Sequence, residues 1–110
     1  MEAEVVPVLH VADAAAANAW YQRLGFTEQW VHRFGPGMPA FVSVARGRAR
    51  LFLSEHRGDA RPDTLIGLFV SDIAPVLAEF GPPTGEQPYR CEIELRDPDG
   101  NRLRISTVRG

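Results

Sequence analysis

Residues 5–13 of the chain read VVPVLHVAD, and residues 65–72 read LIGLFVSD. Each stretch is an apolar run that ends in an aspartate, and a helical pattern containing alanine follows each of them. The two aspartates, Asp13 and Asp72, lie a little over half of the 110-residue chain apart. We interpret this repeat as a duplicated unit in which a strand leads into a capped helix.

Both helices are predicted from three signals: a capping residue at the N-terminus, apolar residues at helical spacing, and Gly or Pro residues at the C-terminus. The carboxylates of Asp13 and Asp72 can accept hydrogen bonds from the free amides of a first turn. Apolar residues then follow at helical spacing: Ala16, Trp20 and Leu24, with Ala17 and Tyr21 beside them, and later Ile73, Val76, Leu77 and Phe80. Gly25 and the GPP stretch at 81–83 predict the two helix ends.

Alternating segments between turn residues predict the strands. They are 26–34, 39–46 and 49–54 after the first helix, and 90–96 and 101–107 after the second. Segment 84–89 is a weaker strand sequence that would complete the second set. The order predicts an α+β protein of two βαβββ modules, each with one helix on one face of a small sheet. We expect a single domain over residues 1–110, with pseudo-repeats of about 1–58 and 59–110.

Composition removes several classes of function. The net charge is -2, and the 12 basic residues are all arginine, so lysine Schiff-base chemistry and a basic nucleic-acid surface are excluded. The single cysteine, Cys91, excludes an intrachain disulfide and is predicted to be buried. No apolar run approaches membrane-spanning length and no signal sequence is visible, so we expect a cytoplasmic protein. The lysine-free, arginine-rich composition suggests a bacterial source.

Several of these stretches resemble the vicinal-oxygen-chelate superfamily, of the glyoxalase, bleomycin-resistance and dioxygenase type. The matching stretches are VPVL at 6–9 with Asp13, WY at 20–21 with LGF at 24–26, LFLS at 51–54, and GEQPY at 85–89 with LRDPDGN at 95–101. The last of these is most similar to the bleomycin resistance proteins. The resemblance covers nearly the whole chain. It implies curved sheets around a ligand cavity, a homodimer, and an antibiotic of the bleomycin type as ligand.

Metal-dependent members of that superfamily carry His or Glu at four strand positions. The corresponding residues here are Val6, Phe52, Leu65 and Arg104. Because these side chains cannot coordinate a catalytic divalent ion, we expect no metal, no cofactor and no metal-dependent activity. The three histidines lie on different segments without the spacing of a metal site.

Three polar residues near the predicted cavity leave alternatives open. Strand parity places His10 towards the cavity, either as a lining residue or as a group that handles protons. A hairpin with its turn at 97–101 places Glu94 opposite Arg104. We interpret these two as an ion pair at the lost metal position, and direct ligand contact is the alternative. His56, in the linker between the modules, is predicted to be solvated.

Aromatic residues supply most of the predicted cavity lining. The cavity-facing positions are Trp30, His32, Phe34, Phe41, Phe52 and Phe69, and the family match adds Tyr89. Flat rings suit a heteroaromatic ligand, although some of them could instead fill a dimer core. Bleomycin-binding relatives carry acidic residues near the end of the second strand. Residues 31–34 read VHRF here, which allows a different amphipathic aromatic ligand.

These observations predict a non-enzymatic protein that sequesters a small aromatic antibiotic. The alternative is a metal-independent enzyme of the same superfamily, in which His10 or Glu94 transfers protons. A third possibility is a domain without a ligand. Sequestration predicts stoichiometric binding of a ligand that stays unchanged. The enzyme predicts a chemically altered ligand, and the third possibility predicts no binding.

Overall fold

Each helix of this protein covers one face of a four-stranded sheet. The computed structural model describes residues 2–81, 85–87 and 90–108. The elements are β1 (Val8–His10), α1 (Ala14–Arg23), β2 (Thr27–Arg33), β3 (Ala40–Arg46), β4 (Ala49–Ser54), β5 (Leu65–Phe69), α2 (Ala74–Phe80), β6 (Gly85–Gln87), β7 (Arg90–Arg96) and β8 (Arg102–Val108). This order is βαβββ twice, so the predicted fold class is confirmed.

The two sheets have the same strand order. The first sheet runs β1-β4-β3-β2 and the second runs β5-β8-β7-β6. In each sheet the module's first strand pairs in parallel with its last strand, and the remaining pairs are antiparallel. α1 packs against β2, β3 and β4 of the first sheet, and in the second sheet β5 packs Ile66 and Leu68 against the core while Leu65 and Phe69 are exposed.

The two helix starts differ in their caps. Asp13 is the N-cap of α1, and its carboxylate accepts from the backbone N–H groups of Ala15 and Ala16 at 3.0 and 3.2 Å. In α2 the cap position is held by Ile73, whose side chain is buried in the core. Asp72 lies one residue further out and accepts from the Ala74 amide at 3.0 Å. The predicted cap therefore contacts the first turn, but the helix begins later than expected.

The core face of α1 is rotated slightly from the predicted one: Ala17, Tyr21 and Leu24 are buried as predicted, and Ala14 takes the place of Ala16. Ala14, Ala17 and Tyr21 are buried against the first sheet, whereas Ala16 is exposed and Trp20 is only half-buried. The alanine-rich sequence sets no strong apolar face by itself. Tyr21 lies on the buried face, and its phenol has a buried partner in the second module.

That partner is the carboxylate of Asp97, in the turn between β7 and β8. The Tyr21 hydroxyl donates to Asp97 Oδ2 at 2.8 Å, and both side chains are buried. The amide nitrogen of the Asn101 side chain donates to the same oxygen at 3.0 Å. Asp97 Oδ1 accepts from the backbone N–H groups of Asp99 and Asn101 at 2.8 and 2.9 Å. These hydrogen bonds compensate for the free energy that the Asp97 carboxylate loses when it is removed from water.

The same turn also holds the end of β1. The Asn101 side chain donates to the His10 carbonyl at 3.1 Å, and Asp99 Oδ1 accepts from the Ala12 amide at 2.8 Å. These bonds join the two modules. Burial, together with the charge and hydrogen bond of Asp97, raises the pKa of the Tyr21 hydroxyl far above its ordinary value. Tyr21 therefore remains a protonated donor throughout the neutral range.

We expect Tyr21→Phe to lower the free energy of unfolding by about 1–3 kcal/mol, because a buried carboxylate loses a donor while the ring contacts remain. The measurement is urea unfolding at pH 7. Since the folded pKa is raised, the wild-type advantage is present below the ordinary tyrosine pKa of about 10 and shrinks as the pH rises above it. Equal stability of variant and wild type at pH 7 would contradict the role given to this bond.

Candidate functional site

The open face of the first sheet carries a cleft of about 620 Å³. Its described lining residues are Trp30, His32, Phe34, Phe41, His56 and Asp59. The first four come from β2, β3 and the residue just after β2, and the last two come from the linker after β4. Strand alternation explains this placement, because Val42 and Val44 are buried in the core while Phe41 points to the other face.

Three rings cluster on this face of the sheet, and we call them the aromatic floor (Trp30, Phe41 and Phe52). Trp30 and Phe41 line the cleft, and Phe52 packs against both of them. Trp30 and Phe41 are nearly parallel, with an interplanar angle of 12° and centroids 6.0 Å apart. Phe52 is tilted against both, at 5.5 Å from Trp30 and 5.1 Å from Phe41. Trp30 is 43% exposed, so the indole is accessible to a ligand.

A second group of rings borders the floor, and we call it the histidine rim (His32, Phe34 and His56). Phe34 is 67% exposed, and the rings of His32 and His56 meet it edge-on at 4.5 and 5.4 Å. The prediction that His56 is merely solvated is wrong, because His56 is half-buried and lines the cleft. The backbone N–H of His56 donates to Ser54 Oγ at 3.1 Å, which turns the linker back towards the sheet.

Asp59 is the lining residue that sequence patterns did not indicate. Its Oδ2 accepts from Ser54 Oγ at 2.6 Å, and Ser54 is fully buried at the end of β4. In the sequence, Asp59 is one polar residue in a polar linker, and such composition is also that of an ordinary solvated loop. Only the path of the linker brings this carboxylate to the cleft.

The other predicted site residues lie elsewhere. His10 is half-buried and stands opposite Ser54 in the first sheet, on the face of the aromatic floor, but it is not among the described lining residues. Glu94 and Arg104 are register partners on the second sheet, with Oε1 and Nη2 3.2 Å apart, as the hairpin predicts. They do not line the cleft. The Tyr89 prediction falls outside the described residues.

The four positions that the resemblance assigns to metal ligands are occupied by Val6, Phe52, Leu65 and Arg104, whose side chains do not fit a divalent ion. Phe52 is part of the aromatic floor, Leu65 is 41% exposed on β5, and Arg104 lies within 4.0 Å of Glu92 as well as pairing with Glu94. Among residues 2–81, 85–87 and 90–108, no group of three or more His, Cys, Asp or Glu side chains could hold a metal ion.

Glu55 fixes the end of the cleft where the linker begins. Its two carboxylate oxygens accept from the backbone N–H of Ala14, at 2.8 Å, and of Ala40, at 2.9 Å. These hydrogen bonds, that of Ala14 first, lower the pKa of Glu55 below its ordinary value of 4.5. Arg33 lies 3.8 Å from the same carboxylate and donates to the Met38 carbonyl. Glu55 thus joins the start of α1 to the start of β3.

The family model described as "Glyoxalase superfamily protein" matches residues 2–109. The chain belongs to the glyoxalase superfamily. No curated protein matches this member of the superfamily.

Solved structures confirm the shared fold. A bleomycin-binding protein complexed with bleomycin is 21% identical with a TM-score of 0.68, and the match covers 99% of each chain. TnmS3, an antibiotic binding protein from Streptomyces sp. CB03234, is 21% identical with a TM-score of 0.74, and 98% of each chain is covered. A lactoylglutathione lyase from Agrobacterium tumefaciens is 21% identical with a TM-score of 0.66, covering 97% of this chain and 94% of that one. Neighbours with different names therefore share this architecture, which identifies the fold alone.

Neither helix of the described residues has the length and apolar character needed to cross a membrane.

We expect Glu55→Gln to lower the free energy of unfolding by about 1 kcal/mol at pH 7, because glutamine offers one acceptor oxygen in place of two charged ones. The folded pKa is lowered, so the carboxylate's contribution is present above the ordinary carboxyl pKa and is lost as the pH falls through the folded value. Urea unfolding across an acid pH series should show the two curves converging. Glu2→Gln, at an exposed position, is the charge-matched control. A difference that stays constant down to low pH would contradict the assignment.

Proposed function

We propose that this glyoxalase-superfamily protein binds and sequesters a small aromatic antibiotic, without converting it. The observation that supports this most is the aromatic floor. Trp30 and Phe41 present nearly parallel rings, and the indole is half exposed to the cleft. A flat ligand can stack on such rings in the offset geometry that aromatic groups prefer. The cleft volume of about 620 Å³ is in the range of small-molecule sites.

The residue types in and around the cleft favour binding over catalysis. The family metal positions hold apolar side chains and an arginine, so the Lewis-acid chemistry of the metal-dependent members has no ligands here. Glu94, a candidate proton-transfer group, is paired with Arg104 on the second sheet. His10, the other candidate, stands beside the cleft rather than among its described lining residues. The metal-independent enzyme therefore remains the second hypothesis.

The neighbours in structure support the same proposal through their fold. The bleomycin-binding protein and TnmS3 are antibiotic-binding proteins by name, and both match nearly the whole chain. We propose that this chain acts likewise in the cytoplasm of a bacterium, on bleomycin or on another aromatic antibiotic. Residues 31–34, which carry no carboxylate, favour a ligand with less positive charge than a polycation would bring.

We also propose that the working unit is a homodimer. The open face of the second sheet exposes two large apolar side chains on β5, Phe69 at 66% and Leu65 at 41%. The cleft on the first sheet is open as well, and Phe34 projects from its rim. Exposed apolar groups on two open sheet faces are typical of an interaction surface, and a second copy could cover both faces reciprocally.

The binding hypothesis predicts stoichiometric binding with no turnover. A thermal-shift panel of aromatic antibiotics, with bleomycin included, should contain a compound that raises the unfolding temperature. Calorimetry with that compound should give one site per cleft, and mass spectrometry should recover it unchanged. Trp30→Ala should weaken binding about tenfold or more, because the largest ring of the floor is lost.

The matched control is Trp20→Phe. Trp20 packs against Tyr21 and Phe80 on the helix side of the sheet, so this variant should bind like the wild type. Recovery of a chemically altered compound would overturn sequestration and favour the enzyme. Equal binding by Trp30→Ala and the wild type would place the ligand outside this cleft.

The dimer hypothesis predicts the mass of two chains by light scattering at micromolar concentration. Phe69→Ser should shift the equilibrium towards one chain, because it removes exposed apolar area from the proposed interface. A wild-type protein that remains monomeric at these concentrations would remove the homodimer and leave the open cleft of a single chain as the binding site.

A further inference from the structure

We infer that Asp59 selects an aromatic ligand that carries a single positive charge close to its ring. This inference rests on the proposed function, since it assumes that the cleft holds an aromatic molecule. It adds the charge of the ligand, the end of the cleft at which the charge lies, and the residue that recognises it.

The charges around the cleft favour a cation. Asp59 is the only carboxylate among the described lining residues, and the other polar groups there are the imidazoles of His32 and His56. Arg33 follows His32 in the sequence, but its guanidinium donates to the Met38 carbonyl and lies 3.8 Å from Glu55. Asp59 therefore supplies the one formal negative charge of the described lining.

The Asp59 carboxylate is held in place before any ligand arrives. The fully buried Ser54 hydroxyl donates to Asp59 Oδ2 at 2.6 Å, and the His56 amide donates to that hydroxyl oxygen at 3.1 Å. Asp59 Oδ1 has no hydrogen bond within the described part of the chain, so it can accept one from a ligand. A pre-positioned acceptor loses little conformational freedom on binding.

The position of Asp59 defines where the charge lies. Ser54 stands directly opposite Phe41 in the β3–β4 register, so the carboxylate lies at the Phe41 end of the aromatic floor. The faces of Trp and Phe rings attract cations, and a carboxylate adds to this attraction. A ring stacked on Trp30 and Phe41 would bring an attached cationic nitrogen within reach of Asp59. One carboxylate matches one charge.

The test uses three probes with the same ring system and different charges: acridine, N-methylacridinium and acridine-9-carboxylate. Equilibrium dialysis at about pH 8 keeps acridine, a weak base, uncharged. We expect the wild type to bind N-methylacridinium about tenfold more tightly than acridine, and the carboxylate most weakly. The preference should decrease as sodium chloride is added, because salt screens the charge of Asp59.

Two charge-matched variants complete the experiment. Asp59→Asn should lose the preference for N-methylacridinium over acridine, measured as the ratio of the two dissociation constants, while asparagine can still accept from Ser54. Asp72→Asn removes the same charge near the start of α2, where the asparagine side chain can still accept from the Ala74 amide, and should keep the full preference.

The outcomes separate this inference from the proposed function. If acridine and N-methylacridinium bind the wild type equally, and Trp30→Ala weakens both, the cleft binds aromatic molecules but Asp59 selects no charge. Tightest binding of acridine-9-carboxylate, or a preference that survives in Asp59→Asn, would likewise overturn the inference alone. If none of the three probes binds the wild type at millimolar concentration, both the aromatic-binding proposal and the inference fail.

Discussion

The buried carboxylate of Asp97 is the constraint on which the rest of the structure depends. An unpaired charge in the core would cost several kcal/mol, so this turn is stable only where its donors are present. One donor, Tyr21, comes from the other module, and Asn101 extends the network to the carbonyl of His10. The network therefore sets how the second module lies against α1 and β1. Because β1 pairs with β4, the same network also helps to position the strand that carries Phe52.

Glu55 performs a similar task at the same end of the first sheet, next to the end of β4. It satisfies amides at the start of α1 and at the start of β3, two places where backbone groups would otherwise lack partners. The linker residues His56 and Asp59 follow directly. The cleft thus lies on a sheet that two carboxylates hold at the end where β1 and β4 finish, and the rings of its floor are supplied by strands rather than by long loops. Sites supported in this way keep their geometry with little loss of entropy on binding.

The arginine-rich composition does not make the cleft basic. Arginines are engaged by carboxylates away from it: Arg23 with Glu79, Arg50 with Glu4, Arg96 and Arg102 with Asp63, and Arg104 with Glu94. These pairs are largely exposed, so each adds little to stability. No arginine is among the described lining residues, whether or not an ion pair holds it. Aromatic faces and one carboxylate are then the features that a ligand meets.

The sequence by itself determined the features that depend on local periodicity. Strand alternation places Trp30, Phe41 and Phe52 on one face, the Asp13 carboxylate caps the helix that follows it, and the 97–101 turn sets Glu94 opposite Arg104. Tertiary structure decided the features that depend on contacts between distant residues. Tyr21 and Asp97 are 76 positions apart, and their hydrogen bond joins the buried face of an alanine-rich helix to the second module. The linker path that brings His56 and Asp59 to the cleft is likewise set by Ser54, because a polar loop has no periodicity that fixes its direction.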